Sequence, residues 1–186
     1  MLRVLDTRAA EFRAAFSALR HWDFSDDGEI NRRARDVLAA VRAEGDVALL
    51  RYTAQFDRVH ASSVAELTLD RDALRGFASA IPAHERAALE LAAQRIRDYH
   101  ARQQLPAFEF ADAQGNVLGQ RVGALERVGL YVPGGRAAYP STVLMTAIPA
   151  QVAGVGDIVM TVPTPDGERN ALVLAAAALA GVDRVQ

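Results

Sequence analysis

Apolar side chains recur at helical spacing through the first hundred residues of the chain. Phe12, Phe16 and Leu19 fall on one face of a first helix. Residues 30–41 repeat this pattern, with apolar side chains at i, i+4, i+7, i+8 and i+11. Gly45 follows, and glycine readily adopts the left-handed conformation that ends many helices. The pattern therefore predicts two amphipathic helices before residue 45.

Short polar residues and prolines mark where the next elements begin. Asp46 and Asp70 precede apolar runs with helical spacing, so each is a candidate N-cap. Residues 66–69 predict a short strand. Pro82 suits the first turn of a helix, and the pattern extends that helix over about 82–104.

The pattern changes to strands after residue 105. Leu105 precedes Pro106 and ends the long helix, because a residue before proline avoids the helical conformation. Alternation over 108–110, a turn signal at 114–116 and an apolar run at 117–122 predict a β-hairpin.

From residue 126 onward, short apolar runs alternate with helical segments. The predicted order is strand 128–132, helix 140–154, strand 157–162, helix 169–180 and strand 182–185. This order is typical of a parallel sheet with helical crossovers. The predicted fold class is α/β: an N-terminal helical region and a β-hairpin, followed by an incomplete Rossmann-like parallel sheet.

The predicted elements divide the chain into a helical arm at 1–104, a hairpin connection at 105–125 and an α/β unit at 126–186. A parallel sheet needs helices on both faces, and three strands with their two connecting helices are too few to cover both. We therefore expect the chain to be the front part of a longer protein, or to pair with a second polypeptide. We also expect the sheet edge beyond the third strand to be uncovered and to promote self-association.

The amino-acid composition and net charge exclude several classes of function. Hydrophobic residues make up 51% and charged residues 24% of the 186 residues, as in soluble globular proteins. The net charge of −2 argues against nucleic acid or a membrane surface as a partner. The sequence has no cysteine, which excludes cysteine-ligated zinc, iron–sulfur clusters and a thiol nucleophile. The first residues lack the pattern of a signal peptide, so we expect a cytoplasmic protein.

The segment 130–142 carries the strongest local chemistry. A strand leads into Gly134 and Gly135 and then into a helix that Ser141 or Thr142 could cap. Backbone N–H groups at such a helix start can bind a phosphate or carboxylate. A simple tight turn would give the same pattern. Tyr131 could stack on a planar ring or be an ordinary core residue. Arg136 could pair with an anion or face water.

The histidines do not strengthen the case for a metal site. His21, His60, His84 and His100 lie far apart, and no two have the i, i+4 spacing of a helical metal site.

The stretch VGLYVPGGRAAYPSTVLMTAIPAQVAGV, residues 128–155, closely resembles the histidinol dehydrogenase family. The likeness continues through IVMTVPTPDG and reaches back to RDVLAAVRAEGDVALLRYTAQFD. It implies a zinc-dependent, cytoplasmic homodimer that oxidises L-histidinol to L-histidine in two NAD-dependent steps. It also implies that Tyr131 contacts NAD, with Gly134 and Gly135 in the adjoining loop.

The family's later motifs, which carry the zinc ligands and the acid and base residues, are absent from this sequence. The resemblance therefore implies the N-terminal part of a histidinol dehydrogenase, inactive alone, with no catalytic or metal residue in this chain. Two alternatives stay open on the residues: a freestanding α/β module that binds a nucleotide or another anion, and a subunit that only dimerises through its helical arm.

Overall fold

The computed structural model describes residues 4–20, 27–134 and 138–186. The predictions made for His21, Gly135 and Arg136 lie outside these residues. The chain forms two compact units, Met1–Ala48 and Leu49–Gln186, and each is described by itself. The division predicted at residues 104 and 125 stays a prediction.

Helices predominate among the described residues. They are α1 (Phe12–Arg20), α2 (Asp27–Glu44), α3 (Asp46–Phe56), α4 (Val64–Leu67), α5 (Arg71–Ala80), α6 (Ala83–Ala101), α7 (Pro140–Val152) and α8 (Ala171–Leu179). The strands are β1 (Leu69–Asp70), β2 (Phe108–Ala111), β3 (Val117–Gln120), β4 (Arg127–Tyr131), β5 (Asp157–Thr161) and β6 (Arg184–Val185).

The first unit contains α1, α2 and the start of α3. On α1, the rings of Phe12 and Phe16 stack with their centroids 5.5 Å apart. Gly45 follows α2 with φ of +59°, which confirms the predicted helix end. Asp46 is the first residue of α3 and carries its charge in the first turn of that helix.

Two helix starts in the second unit follow the sequence signals. The Asp70 side chain accepts a 2.9 Å hydrogen bond from the Ala73 N–H at the start of α5, which confirms the predicted cap. Pro82 immediately precedes α6 as its N-cap.

Strands β2 and β3 form the predicted antiparallel hairpin. Phe108 pairs with Gln120, and Phe110 pairs with Leu118. In the turn, the Asp112 carboxylate accepts hydrogen bonds from the side chain and backbone of Asn116. These bonds hold the pKa of Asp112 below its ordinary value and fix the turn.

The larger sheet has the order β1-β6-β5-β4. Strands β4, β5 and β6 are parallel, and β1 is antiparallel to β6. The α/β prediction is therefore confirmed. The first half of the strand predicted at 66–69 belongs to α4 instead, and β1 begins only at Leu69. Because β1 pairs with β6, the edge that we expected to be uncovered is partly paired.

The core of the second unit lies between the parallel strands and helices α7 and α8. Ile158 and Met160 of β5 are buried and belong to one apolar cluster with Leu144 and Ile148 of α7. Alternate residues of β5 are more accessible, so one face of the sheet carries the core.

Helix α8 is apolar around its whole circumference and contacts both α5 and α7. Such a helix is buried by its neighbours rather than by one face alone. Nowhere in the described ranges is a helix both long enough and apolar enough to cross a bilayer.

Charged side chains tie the beginnings of the three parallel strands together. Asp157 of β5 accepts hydrogen bonds from Arg127 of β4 and, at 2.9 Å, from Arg184 of β6. The bond from Arg127, together with the positive charge of both arginines, holds the pKa of Asp157 below its ordinary value near 3.8.

Asp157→Asn is expected to lower the melting temperature slightly at neutral pH. Because the folded-state pKa is depressed, the stabilisation is present above about pH 4 and is lost as the pH falls through the folded value. The gap between variant and wild type should therefore narrow in acid. Thermal melts from pH 7 to pH 3 measure this, with Glu90→Gln on α6 as a control for an exposed ion pair within one helix. A gap that does not change with pH would contradict the assignment.

Candidate functional site at the strand ends

The three parallel strands end at one edge of the sheet, and a cavity of about 900 Å³ lies there. Tyr131, Thr161 and Val185 are the last residues of β4, β5 and β6, and all three line it. Ligands of open α/β sheets bind at this edge. The other walls are α3 and α4 (Leu49, Thr53, Val64, Leu67), the loop after β5 (Pro163, Thr164, Pro165, Asp166, Gly167) and the start of α8 (Asn170, Val173, Leu174).

Tyr131 lines this cavity and is largely exposed to solvent. The residue is 64% exposed, so the alternative that it is a core tyrosine is wrong. The next residue, Val132, is fully buried, and its N–H donates a 3.0 Å hydrogen bond to the Thr161 carbonyl. The backbone is therefore held in place while the aromatic ring stays accessible for stacking.

Gly134 lies where the loop after β4 packs on the loop after β5, and it lines the cavity. A Cβ atom at this position would lie 2.4 Å from the Pro163 carbonyl oxygen. Only glycine allows this approach, so packing alone requires glycine here.

Helix α7 begins at Pro140, as predicted, but its capping residue differs from the prediction. The N-cap is Tyr139, without a side-chain capping bond, and Pro140 is the first helical residue. The expectation that Ser141 or Thr142 caps this helix is wrong, because both residues lie inside its first turn and the cap position falls on Tyr139. At α8, Asn170 is the N-cap and accepts a 3.1 Å hydrogen bond from the Val173 N–H.

Across the cavity, the loop after α3 meets the loop after β5. The Asp166 N–H donates a 2.7 Å hydrogen bond to the Asp57 carbonyl. The Arg58 guanidinium donates from Nε and Nη2 to the two carboxylate oxygens of Asp166, each at 2.5 Å. These bonds hold the pKa of Asp166 below its ordinary value and raise the pKa of Arg58.

Arg58 and Asp166 also share an uncommon backbone conformation. Their φ angles are +58° and +59°, and they are the non-glycine residues with positive φ in the described segments. Most side chains with a Cβ disfavour this region, at a cost of order 1 kcal/mol for a residue such as Arg58, whereas aspartate tolerates it better. Sequence reasoning missed this pair, although Pro165-Asp166-Gly167 is a recognisable turn signal.

The described residues do not offer a metal centre. Within 4–20, 27–134 and 138–186, no three histidine, aspartate or glutamate side chains come close enough together to hold a metal ion. His60, His84 and His100 belong to this part of the chain, and the structure does not bring them together at the strand ends.

Comparisons with known proteins assign the chain to a family. The sequence model of the family named histidinol dehydrogenase matches residues 22–186. The chain belongs to the histidinol dehydrogenase family. The histidinol dehydrogenase of Burkholderia lata is 53% identical over 99% of this chain, and that of Pseudomonas aeruginosa is 48% identical over the same share.

A solved structure supports both the family and the fold. The crystal structure of histidinol dehydrogenase from Elizabethkingia anophelis matches 89% of this chain with a TM-score of 0.74 at 27% identity. The chain covers 36% of that structure and 42–43% of the two relatives above. The prediction that this sequence corresponds to only part of a histidinol dehydrogenase is confirmed.

Proposed function

We propose that this chain forms one side of the NAD site of a histidinol dehydrogenase. The whole enzyme would oxidise L-histidinol to L-histidine in two NAD-dependent steps, as the last part of histidine biosynthesis. The observation that carries the proposal is the exposed Tyr131 ring beside the 900 Å³ cavity at the strand ends, in a chain of this family. Tyr131, Gly134 and Gly135 are the residues that we propose contact the cofactor.

The described residues fit a dinucleotide in three respects. The cavity volume lies within the range of about 300–1,000 Å³ that ligand sites occupy. Tyr131 offers an aromatic face on which a planar ring can stack. Gly134 adds no side chain to the cavity wall, so a ligand can approach the backbone closely. When bound, NAD accepts the hydride that leaves the substrate.

The residues described here do not fit the zinc ion of the family, since no suitable cluster is present among them. We therefore assign no zinc ligand, acid or base to this chain, and we derive no chemical step from it. In this proposal the chain positions the cofactor and shields part of it from water. A homodimer and a cytoplasmic location belong to the same proposal. Family membership does not favour the alternative of a freestanding anion-binding module.

The chain alone is expected to bind NAD weakly and not to reduce it. Backbone amide signals of an isotope-labelled sample should shift at the strand ends as NAD is added, while signals of the hairpin around Phe110 should stay in place. With L-histidinol and zinc present, no NADH absorbance should develop, because the described residues hold no group of three side chains that could bind the metal.

A full-length histidinol dehydrogenase is the positive control for this assay. Reduction of NAD by the 186-residue chain would contradict the proposal that this chain positions the cofactor but supplies no zinc ligand, acid or base. NAD-induced shifts confined to the hairpin would contradict the location of the site.

A further inference from the structure

Two loops that are distant in sequence meet at one side of the cleft. Arg58 and Asp166 are 108 positions apart, and their side chains form a two-pronged ion pair. The Asp166 N–H also bonds to the Asp57 carbonyl, so the contact has a backbone and a side-chain component. We call this set of three bonds the Arg58–Asp166 clamp.

Stability does not account for the Arg58–Asp166 clamp. Both side chains are 59% exposed, and exposed ion pairs contribute little to folding free energy. Arg58 also occupies the left-handed region, which a long side chain disfavours, whereas Asp166, which lies there too, tolerates it better. Unfavourable backbone conformations that a fold retains are concentrated at functional sites.

The position of the clamp suggests what it does. Asp57 and Asp166 both line the cavity, Asp57 at the end of the α3 wall and Asp166 in the loop after β5. The same loop carries Pro163, whose carbonyl oxygen packs against Gly134. A fixed Asp166 therefore fixes the segment that faces the loop after β4.

We propose that Arg58 and Asp166 are positioning residues that hold the loop after β5 as a preformed wall of the cofactor cleft. This inference rests on the proposed function. Neither side chain needs to touch NAD, because their effect is to order residues 163–167 before the cofactor arrives. Because the wall is already ordered, NAD binding does not have to offset the entropy lost when a flexible loop becomes ordered.

Arg58→Gln and Asp166→Asn test the clamp directly. Asparagine tolerates the left-handed conformation, so Asp166→Asn removes the charge while keeping the backbone favourable. Each variant is expected to weaken NAD binding about three- to tenfold in calorimetric titrations. Amide hydrogen exchange at residue 166 should accelerate about tenfold, whereas the melting temperature should change little.

Arg86→Gln is the matched control. Arg86 also forms an exposed ion pair, with Glu90 at 3.0 Å, but both residues lie on α6 and neither lines the cleft. It should change neither NAD affinity nor exchange at residue 166. An equal loss of affinity in Arg86→Gln would overturn the proposal, since loss of any surface charge would then suffice.

The charge-swapped double variant Arg58→Asp with Asp166→Arg separates positioning from direct contact. If the ion pair acts by holding the loop, the swap should recover most of the lost NAD affinity and slow the exchange at residue 166 again. If the Asp166 carboxylate itself binds the cofactor, the swap should bind no better than Asp166→Asn, and the positioning role would be overturned.

Failure of this inference can be told apart from failure of the proposed function. If wild type binds NAD and Tyr131→Ala weakens binding, while both clamp variants bind like wild type, the clamp proposal alone is wrong. If wild type shows no NAD binding at all, the proposed function is wrong and the clamp proposal is overturned with it.

Discussion

Gly134→Ala is expected to destabilise the second unit by about 1–3 kcal/mol and to weaken NAD binding. The added methyl would lie 2.4 Å from the Pro163 carbonyl oxygen, which belongs to the backbone and cannot rotate away. The two loops must therefore separate, at the cost typical of overpacking. Urea denaturation measures the loss of unfolding free energy, and titration with NAD measures the loss of NAD affinity.

Gly129→Ala provides the matched control for this substitution. Gly129 lies in the middle of β4, and a Cβ atom there would have no neighbour within 4 Å. We expect this variant to be as stable as wild type or slightly more so, since alanine restricts the unfolded chain. Equal stability of the two alanine variants would show that the loops after β4 and β5 do not pack as described.

The second large effect is expected for Leu144→Ala, which should cost about 2–5 kcal/mol of unfolding free energy. Leu144 is buried in the apolar cluster that joins α7 to β5, and its truncation leaves a cavity among close-packed neighbours. Met145→Ala on the same helix is the control, because Met145 is 61% exposed. Its effect should stay within about 0.5 kcal/mol. Similar losses in both variants, measured by urea denaturation, would argue against this core.

The sequence predicted where helices and strands lie better than it predicted which strands pair with each other. Helical periodicity and caps such as Asp70 act locally, so α5 and the hairpin could be located from nearby residues alone. Strand β1 was misplaced by several residues, because its pairing with β6 joins Leu69 to Val185, far along the chain. Two residues of β1 carry too little pattern to reveal such a contact.

The candidate site was only partly predictable. The family resemblance indicated Tyr131, and the strand pattern placed it at the end of β4, but its exposure depends on how the neighbouring loops fold. Pro165-Asp166-Gly167 marked a turn, but the pairing of Asp166 with Arg58 could not be predicted, because no local pattern links charged residues 108 positions apart. The wall formed by α3 and α4 escaped prediction for the same reason: it comes from tertiary packing.

A calorimetric titration of NAD into the wild-type chain, Tyr131→Ala and Tyr99→Ala tests the central claim most directly. Tyr99 on α6 is 63% exposed, nearly the same as Tyr131, and does not line the cleft, so the two variants remove equal aromatic surface. Stacking on an aromatic ring contributes about 0.5–1.5 kcal/mol, so Tyr131→Ala should weaken binding about two- to tenfold. We expect Tyr99→Ala to bind like wild type. Equal affinity of all three proteins would contradict the placement of the cofactor at the strand ends.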